Sequence, residues 1–293
     1  MFLNYRTQGF ILKKIDRGEA DQLFTIFTED FGKLEVLGKA IRKISSKLRS
    51  GAEIFYLSEI EFIQAKAHKT LTDAIAVDKF ESVRNDLEKL KIAYKIAEVF
   101  DNLVRGQEKD ENLWGLFEET FQKLNNHSLP AIHCSLLYYY FFWNLLSILG
   151  YEPQLYNCAL CQRKLEPQKL FFNSREGGII CQNHDKELKL NNQRDKSLFH
   201  PSLYSGKEIG LETVKILRLI LKKDWPILAK LKIDKSNTRG VAKSKRALSS
   251  FPPSPRSPRG LVGEDEDLSS STLESLNVIT GEYYLYIHNL VAT

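Results

Sequence analysis

GFILKKIDRGEADQLFTIFTEDFGKLEVLGKAIRK, spanning Gly9–Lys43, is the stretch whose reading decides the fold. Gln8–Ile15, Gln22–Thr28 and Lys33–Leu37 are short runs rich in β-branched and aromatic residues. Arg17-Gly18-Glu19 and Glu29-Asp30-Phe31-Gly32 separate them with residues that form tight turns. Downstream, Ile54–Ile63 alternates near its end, with Glu59 and Glu61 outward and Ile60 and Phe62 inward, and Thr70–Phe80 supplies a fifth run. Five strands with a non-strand stretch between the third and fourth predict a small barrel of the OB type.

Beyond Ser82 the apolar period changes from two to about 3.6. Leu90, Ala93, Ala97, Phe100 and Val104 share one helical face, and Leu113, Leu116, Phe117, Phe121 and Leu124 share another. PAIHCSLLYYYFFWNLLSILG (Pro130–Gly150) carries no charge and is long enough to cross a bilayer. Polar residues interrupt it and no Lys/Arg cluster flanks it closely, so it is read as a helix buried at the centre of a bundle, with Pro130 as its first residue. Helical pattern returns at Gly206–Lys223, with Val214, Leu217 and Leu221 on one face, and again at Thr272–Val291, with Leu273, Leu276, Ile279, Tyr283 and Ile287.

The predicted class is α+β: an OB-fold β-barrel followed by a helical bundle that carries a zinc-binding insertion. The expected segments are a nucleic-acid-binding barrel at 1–82, helical domain at 83–150, zinc-knuckle insertion at 151–187, more helical domain at 188–235, a disordered Ser/Pro-rich linker at 236–271 and a C-terminal helix at 272–293. SSFPPSPRSPRG followed by GEDED gives the linker its composition.

Cys158-x2-Cys161, nineteen residues, then Cys181-x2-His184 is the strongest chemical signal. A two-residue gap lets both side chains of one tight turn point at one ion, and two such turns fill a tetrahedral shell. Gly177-Gly178 is expected to give the second knuckle its tight backbone. Three thiolates and one imidazole leave no open position, which makes the expected Zn2+ structural. His200 is an alternative fourth ligand by residue type, and Cys134, within the uncharged helix, is read as a core residue. Four cysteines in a chain whose first residues form no apolar signal region favour metal binding in a reducing cytoplasm over disulfides.

Lys39, Arg42, Lys43, Lys47 and Arg49 place five cations and no anion in eleven residues. In the barrel reading they lie on the connection between the third and fourth strands, and Lys33 extends the patch. A cationic barrel rim suits phosphate backbones, and without a groove-reading helix the binding should be independent of sequence. The aromatic residues Phe10, Phe24, Phe27, Phe55 and Tyr56 are candidates for base stacking, but a small barrel needs such residues in its core. Net charge is +5 and pI near 8.8, so concentration of charge matters more than its total. Gly32–Ala40 approaches a P-loop but has five residues between its glycines and Ala40 where a hydroxyl should ligate magnesium. Glu19 with Asp21 and Glu59 with Glu61 are read as edge-strand solubility devices, and no catalytic constellation is found.

Taken in order, these residues resemble the RecO family. The resemblance rests on Gly18-Glu19-Ala20-Asp21, on Phe27-Thr28 with Gly32-Lys33, on the basic loop Lys39–Arg49, and on LGYEPQLYNCALC and FFNSREGGIIC around the knuckles. It covers about residues 1–190. It implies a bacterial, cytoplasmic, nucleoid-associated protein without enzymatic activity. Such a protein binds single- and double-stranded DNA, anneals complementary strands, binds single-stranded DNA-binding protein, and acts with RecR to load RecA. Zinc-bearing members often have Cys in the fourth ligand position, where this chain has His184. The alternative is an RNA-binding or translation-associated OB-fold zinc protein, for which shape and 2′-hydroxyl contacts would govern affinity.

Overall fold

A computed structural model describes residues 4–64, 68–166, 169–194, 206–231 and 270–292. Strands β1 (Asn4–Arg17), β2 (Asp21–Thr28), β3 (Gly32–Gly38), β4 (Leu57–Gln64) and β5 (Lys69–Asp78) form a closed barrel in the order β1-β2-β3-β5-β4. Neighbours run antiparallel except β3 and β5, which meet in parallel through Val36–Lys69 and Leu37–Thr70. The OB-type expectation therefore holds, and the inward side chains make the lining: Ile11, Phe24, Ile26, Leu34, Val36, Ile60, Phe62, Leu71 and Ala74.

Strand β1 is buried on both faces. Ile11 points into the barrel, whereas Phe10 and Leu12 point out into a second core. There Phe10 packs on Trp114, Phe117 and Phe121 at 4.9–5.4 Å between ring centroids, and Phe27 packs on Phe100 at 4.4 Å. Burying an aromatic side chain of this size contributes about 1.5–3 kcal/mol. Barrel and helices are thus joined by apolar surface. Gly32 fits the same junction: its φ is +60°, and a Cβ there would meet the Glu108 carbonyl oxygen at 2.5 Å.

Helices α1 (Glu81–Asn85), α2 (Leu87–Leu103), α3 (Glu111–Leu124) and α4 (Ala131–Ile148) follow. Asp86 and Asp110 cap α2 and α3 by accepting from backbone N–H groups of their first turns. Leu136, Leu137, Tyr140, Phe141, Phe142, Trp143, Leu145 and Leu146 in α4 have no solvent exposure. Surrounding helices are α2, α3, α6 (Leu211–Leu221) and α8 (Ser270–Ala292), so the uncharged helix is central, as expected. Asn144 Nδ2 ties it to α6 by donating to the Ile220 carbonyl at 3.0 Å. Among the described residues no helix is long and apolar enough to cross a membrane. A second sheet, β7-β6-β8, comprises β6 (Leu170–Asn173), β7 (Gly178–Cys181) and β8 (Lys207–Ile209). Helices α5 (Gln182–Arg194) and α7 (Trp225–Leu228) complete the described elements.

Several expectations need correction. The fourth strand starts at Leu57 rather than Ile54, because Phe55 adopts φ 64° to send its ring into the interdomain core. The fifth ends at Asp78, and Phe80, at φ 46°, precedes α1. Glu59 and Glu61 do not guard an edge, since β4 pairs with both β1 and β5; they face Arg6, at 2.6 and 3.8 Å. Pro130 caps α4 with extended ψ instead of entering it. Lys207–Ile209 is an edge strand on β6, not the first turn of a helix. Most of the Ser/Pro-rich stretch, 236–269, lies outside the described residues.

Candidate metal centre and nucleic-acid interface

The first knuckle is a tight loop. Cys158 N–H donates to the Arg163 carbonyl at 2.9 Å, Gln162 N–H returns to the Cys158 carbonyl at 2.9 Å, and Gln162 takes φ 60°. Ala159 N–H donates to the Ile179 carbonyl at 2.8 Å and so pins this loop to β7. The second pair sits differently from expectation. Gly177 and Gly178 build the β6–β7 reversal, where Asn173 Oδ1 accepts from the Arg175 and Glu176 N–H groups. The pair itself spans a strand–helix junction: Cys181 ends β7 and His184 lies in the first turn of α5.

These two junctions bring the four donor atoms of Cys158, Cys161, Cys181 and His184 within 4.8 Å of one another. His184 Nδ1 is 3.5 Å from Cys158 Sγ and 3.3 Å from Cys181 Sγ. Sulfur and nitrogen bound to one tetrahedral ion are separated by about 3.5 Å, given bond lengths near 2.3 and 2.0 Å. The cluster therefore fits a metal ion. The Arg163 backbone holds the Cys161 thiol below its ordinary range, and burial pushes the Cys181 thiol up. Phe171 and Ile180 pack beneath buried Cys158. Cys134 stands apart on α4, its thiol directed at the Pro130 carbonyl at 3.6 Å. His200 lies outside the described residues.

The basic segment leaves β3 at Gly38 and is anchored at both ends. Asp21 Oδ1 accepts from the Ala40 N–H at 2.7 Å, and Arg42 N–H donates to the Ala20 carbonyl at 3.0 Å. Ile41 enters the barrel lining, 2% exposed. A 3-10 turn at Lys47–Ser50 precedes Gly51, whose carbonyl accepts from Ser58 Oγ at 2.6 Å. Gly51 is required there, since a Cβ would meet the Ala74 carbonyl oxygen at 1.9 Å.

Between these anchors Lys39, Arg42, Lys43, Lys47 and Arg49 are all exposed. Arg42 leans on Asp16 at 3.3 Å. Among the described residues no carboxylate pairs with Lys39, Lys43, Lys47 or Arg49. Lys33 is placed elsewhere: its Nζ donates to the Asp101 carbonyl at 2.6 Å and carboxylate at 3.1 Å, binding β3 to α2, and it does not join the loop's free cations. Phe10, Phe24, Phe27 and Phe55 are core residues, and half-buried Tyr56 lies under the Arg84 guanidinium at 4.8 Å. Sequence reasoning missed Asp21 as the loop's anchor. Its position two residues after Glu19 had made it one of a solubility pair.

A closed OB-type barrel joined through its outer face to helices, with a Cys3His unit inserted between α4 and α6, defines a class of barrel-and-helix proteins bearing a knuckle that could hold a metal ion. Family models described as Recombination protein O N terminal and Recombination protein O C terminal match residues 1–80 and 84–196. The chain belongs to the RecO family. It is similar to the "DNA repair protein RecO" of Dehalococcoides mccartyi, with 29% identity over 79% of this chain and 84% of that protein. Those of Roseiflexus sp. and Moorella thermoacetica are 34% and 32% identical, over 60% of this chain and 61% and 65% of theirs.

Proposed function

We propose that this chain is a DNA repair and homologous recombination mediator that binds DNA through its 39–50 loop. The single observation that carries this reading is the loop itself: Lys39, Lys43, Lys47 and Arg49 are exposed, with no acidic partner among the described residues, on a segment fastened to the barrel at both ends. A fixed cationic platform lowers the phosphate repulsion between two strands, which is what annealing requires. No covalent step is assigned to any residue. The proposal includes loading of RecA onto DNA coated with single-stranded DNA-binding protein, with RecR as partner, and work at the nucleoid in the cytoplasm; family membership is what supports these parts of the reading.

The ion proposed for Cys158, Cys161, Cys181 and His184 is Zn2+. It would fasten the Cys158–Cys161 loop to the β7–α5 junction and supply structure alone, because the four protein donors complete its shell.

Strand annealing, with and without single-stranded DNA-binding protein, tests the reading. Lys39, Arg42 and Lys43 changed together to Ala should lower DNA affinity and annealing by about tenfold or more, with folding retained because all three side chains are exposed. The wild-type log affinity should fall against log salt with a slope of about −3 to −5. A flat salt response, strong preference for one sequence, or higher affinity for matched RNA would refute it.

A further inference from the structure

The loop at 39–50 carries three large aliphatic side chains, and they have different fates. Ile41 is sealed in the barrel at 2% exposure, Leu48 packs half-buried against the same lining, and Ile44 is 94% exposed. The next most exposed large apolar residue among those described is Leu87, at 65%. Two hydrogen bonds, Lys43 N–H to the Ala40 carbonyl and Ser46 N–H to the Lys43 carbonyl, at 3.1 and 3.0 Å, fold the backbone around Ile44 into successive turns. Ile44 thus projects from a held loop, flanked by Arg42, Lys43 and Lys47.

A lone exposed aliphatic group is ordinary on a protein surface. In a phosphate-binding loop it has a specific consequence, because it adds nothing to charge neutralisation yet sits where the strand must lie. Thymine methyl groups in the major groove apart, the broad apolar surface of nucleic acid lies on its base faces. In a duplex these are stacked against each other, and inserting a wedge requires unstacking. In an unpaired strand they are open to contact.

We propose that Ile44 gives the loop its preference for unpaired strands, by packing on exposed base faces while the neighbouring cations hold the phosphates. This rests on the 39–50 loop being the DNA-binding element. Pairing of two strands removes the surface Ile44 grips while leaving the phosphates, so annealing itself weakens the protein's hold on its product.

The test measures affinity of the full chain for one labelled mixed-sequence oligonucleotide, single-stranded and as duplex, over a salt series. Ile44→Ser should lower single-strand affinity about three- to tenfold by removing buried aliphatic area, with duplex affinity and salt slope unchanged. Ile44→Trp should restore or raise single-strand affinity, and the indole emission it adds should be quenched by the unpaired strand but not by the duplex. Normal single-strand binding by Ile44→Ser, or equal loss on both forms, would overturn the assignment. If Ile44→Ser instead releases the protein from phosphatidylserine vesicles and leaves DNA binding intact, the apolar tip serves a lipid surface and the proposal fails. The Lys39, Arg42, Lys43 triple alanine variant separates the two levels. Its loss of binding beside a silent Ile44→Ser sinks the Ile44 role alone, while its normal binding sinks the loop as the DNA site, and the Ile44 role with it.

Discussion

Asp21 presents two opposed effects in a single carboxylate. It sits at the root of a cationic loop, so its charge alone should weaken DNA binding, yet it accepts from the Ala40 N–H and fixes where that loop begins. Asp21→Ala therefore has a sign to be read. A purely electrostatic role predicts tighter binding. Pre-organisation predicts binding several-fold weaker despite the gain in net charge, along with a stability loss of about 1.5–3 kcal/mol for a hydrogen bond to a charged group. The second outcome is expected, measured by DNA titration and denaturant unfolding. Cys134 is the opposite kind of residue: burial pushes its thiol up to about 11, so almost no thiolate exists in the native state near neutral pH. Alkylation of Cys134 at pH 8 should be slow until denaturant is added. Both its burial and the Cys158, Cys161, Cys181, His184 grouping were legible in the sequence, because spacing and the surrounding apolar run are local signals. Lys33 was not. Its partner Asp101 lies 68 residues away, and nothing local distinguishes an ion-paired lysine from a free one.

At the scale of elements, the metal unit and the barrel should separate by mutation. Cys161→Ser removes one of four donors and His184→Ala another; each should bring bound metal, one ion per chain by elemental analysis, down to a small fraction. DNA binding should persist in the Cys161 variant, since the 39–50 loop is anchored on β1–β2 and β4–β5 residues and not on the knuckles. Loss of DNA binding by a folded Cys161→Ser protein, with normal binding by the triple alanine variant, would move the nucleic-acid site to the metal unit. The aromatic helices carry a different liability. Burial pushes Tyr139 and Tyr283 up to about 12 from an ordinary value near 10. The unfolded chain releases these protons first, so stability is intact below pH 10 and declines as pH rises from about 10 towards 12. Melting temperature across that interval is the measurement. Helices α2 and α3 were readable because each carries its own apolar period, and α4 because a long uncharged run broken by polar residues reads as a buried helix. β8 escaped because three residues carry no period, and its strand character comes from pairing with β6, more than thirty residues earlier.

For the whole molecule, sequence resolved two compositional regimes, strands and then helices, and placed a boundary near residue 82. The packing runs through that boundary. Phe10, Phe27 and Phe55 belong to the barrel by chain position and to the helical core by contact. A fragment ending at residue 82 should therefore expose this aromatic strip and self-associate, whereas a fragment extended through α3, to about residue 125, should stay better dispersed; sedimentation of the two distinguishes them. The sharing left a trace in the sequence, since a strand covered on both faces reads as a continuous apolar run and Phe10-Ile11-Leu12 is one; what no local signal names is the pair of helices, α2 and α3, that covers the outer face. The strip also has a temporal meaning. During synthesis the first five strands leave the ribosome before α2 and α3, and at ordinary elongation rates the delay is on the order of a few seconds. For that interval the nascent barrel displays the phenylalanines that later seal it to the helices, which marks the emerging chain as a client for holding chaperones until residue 124 is free.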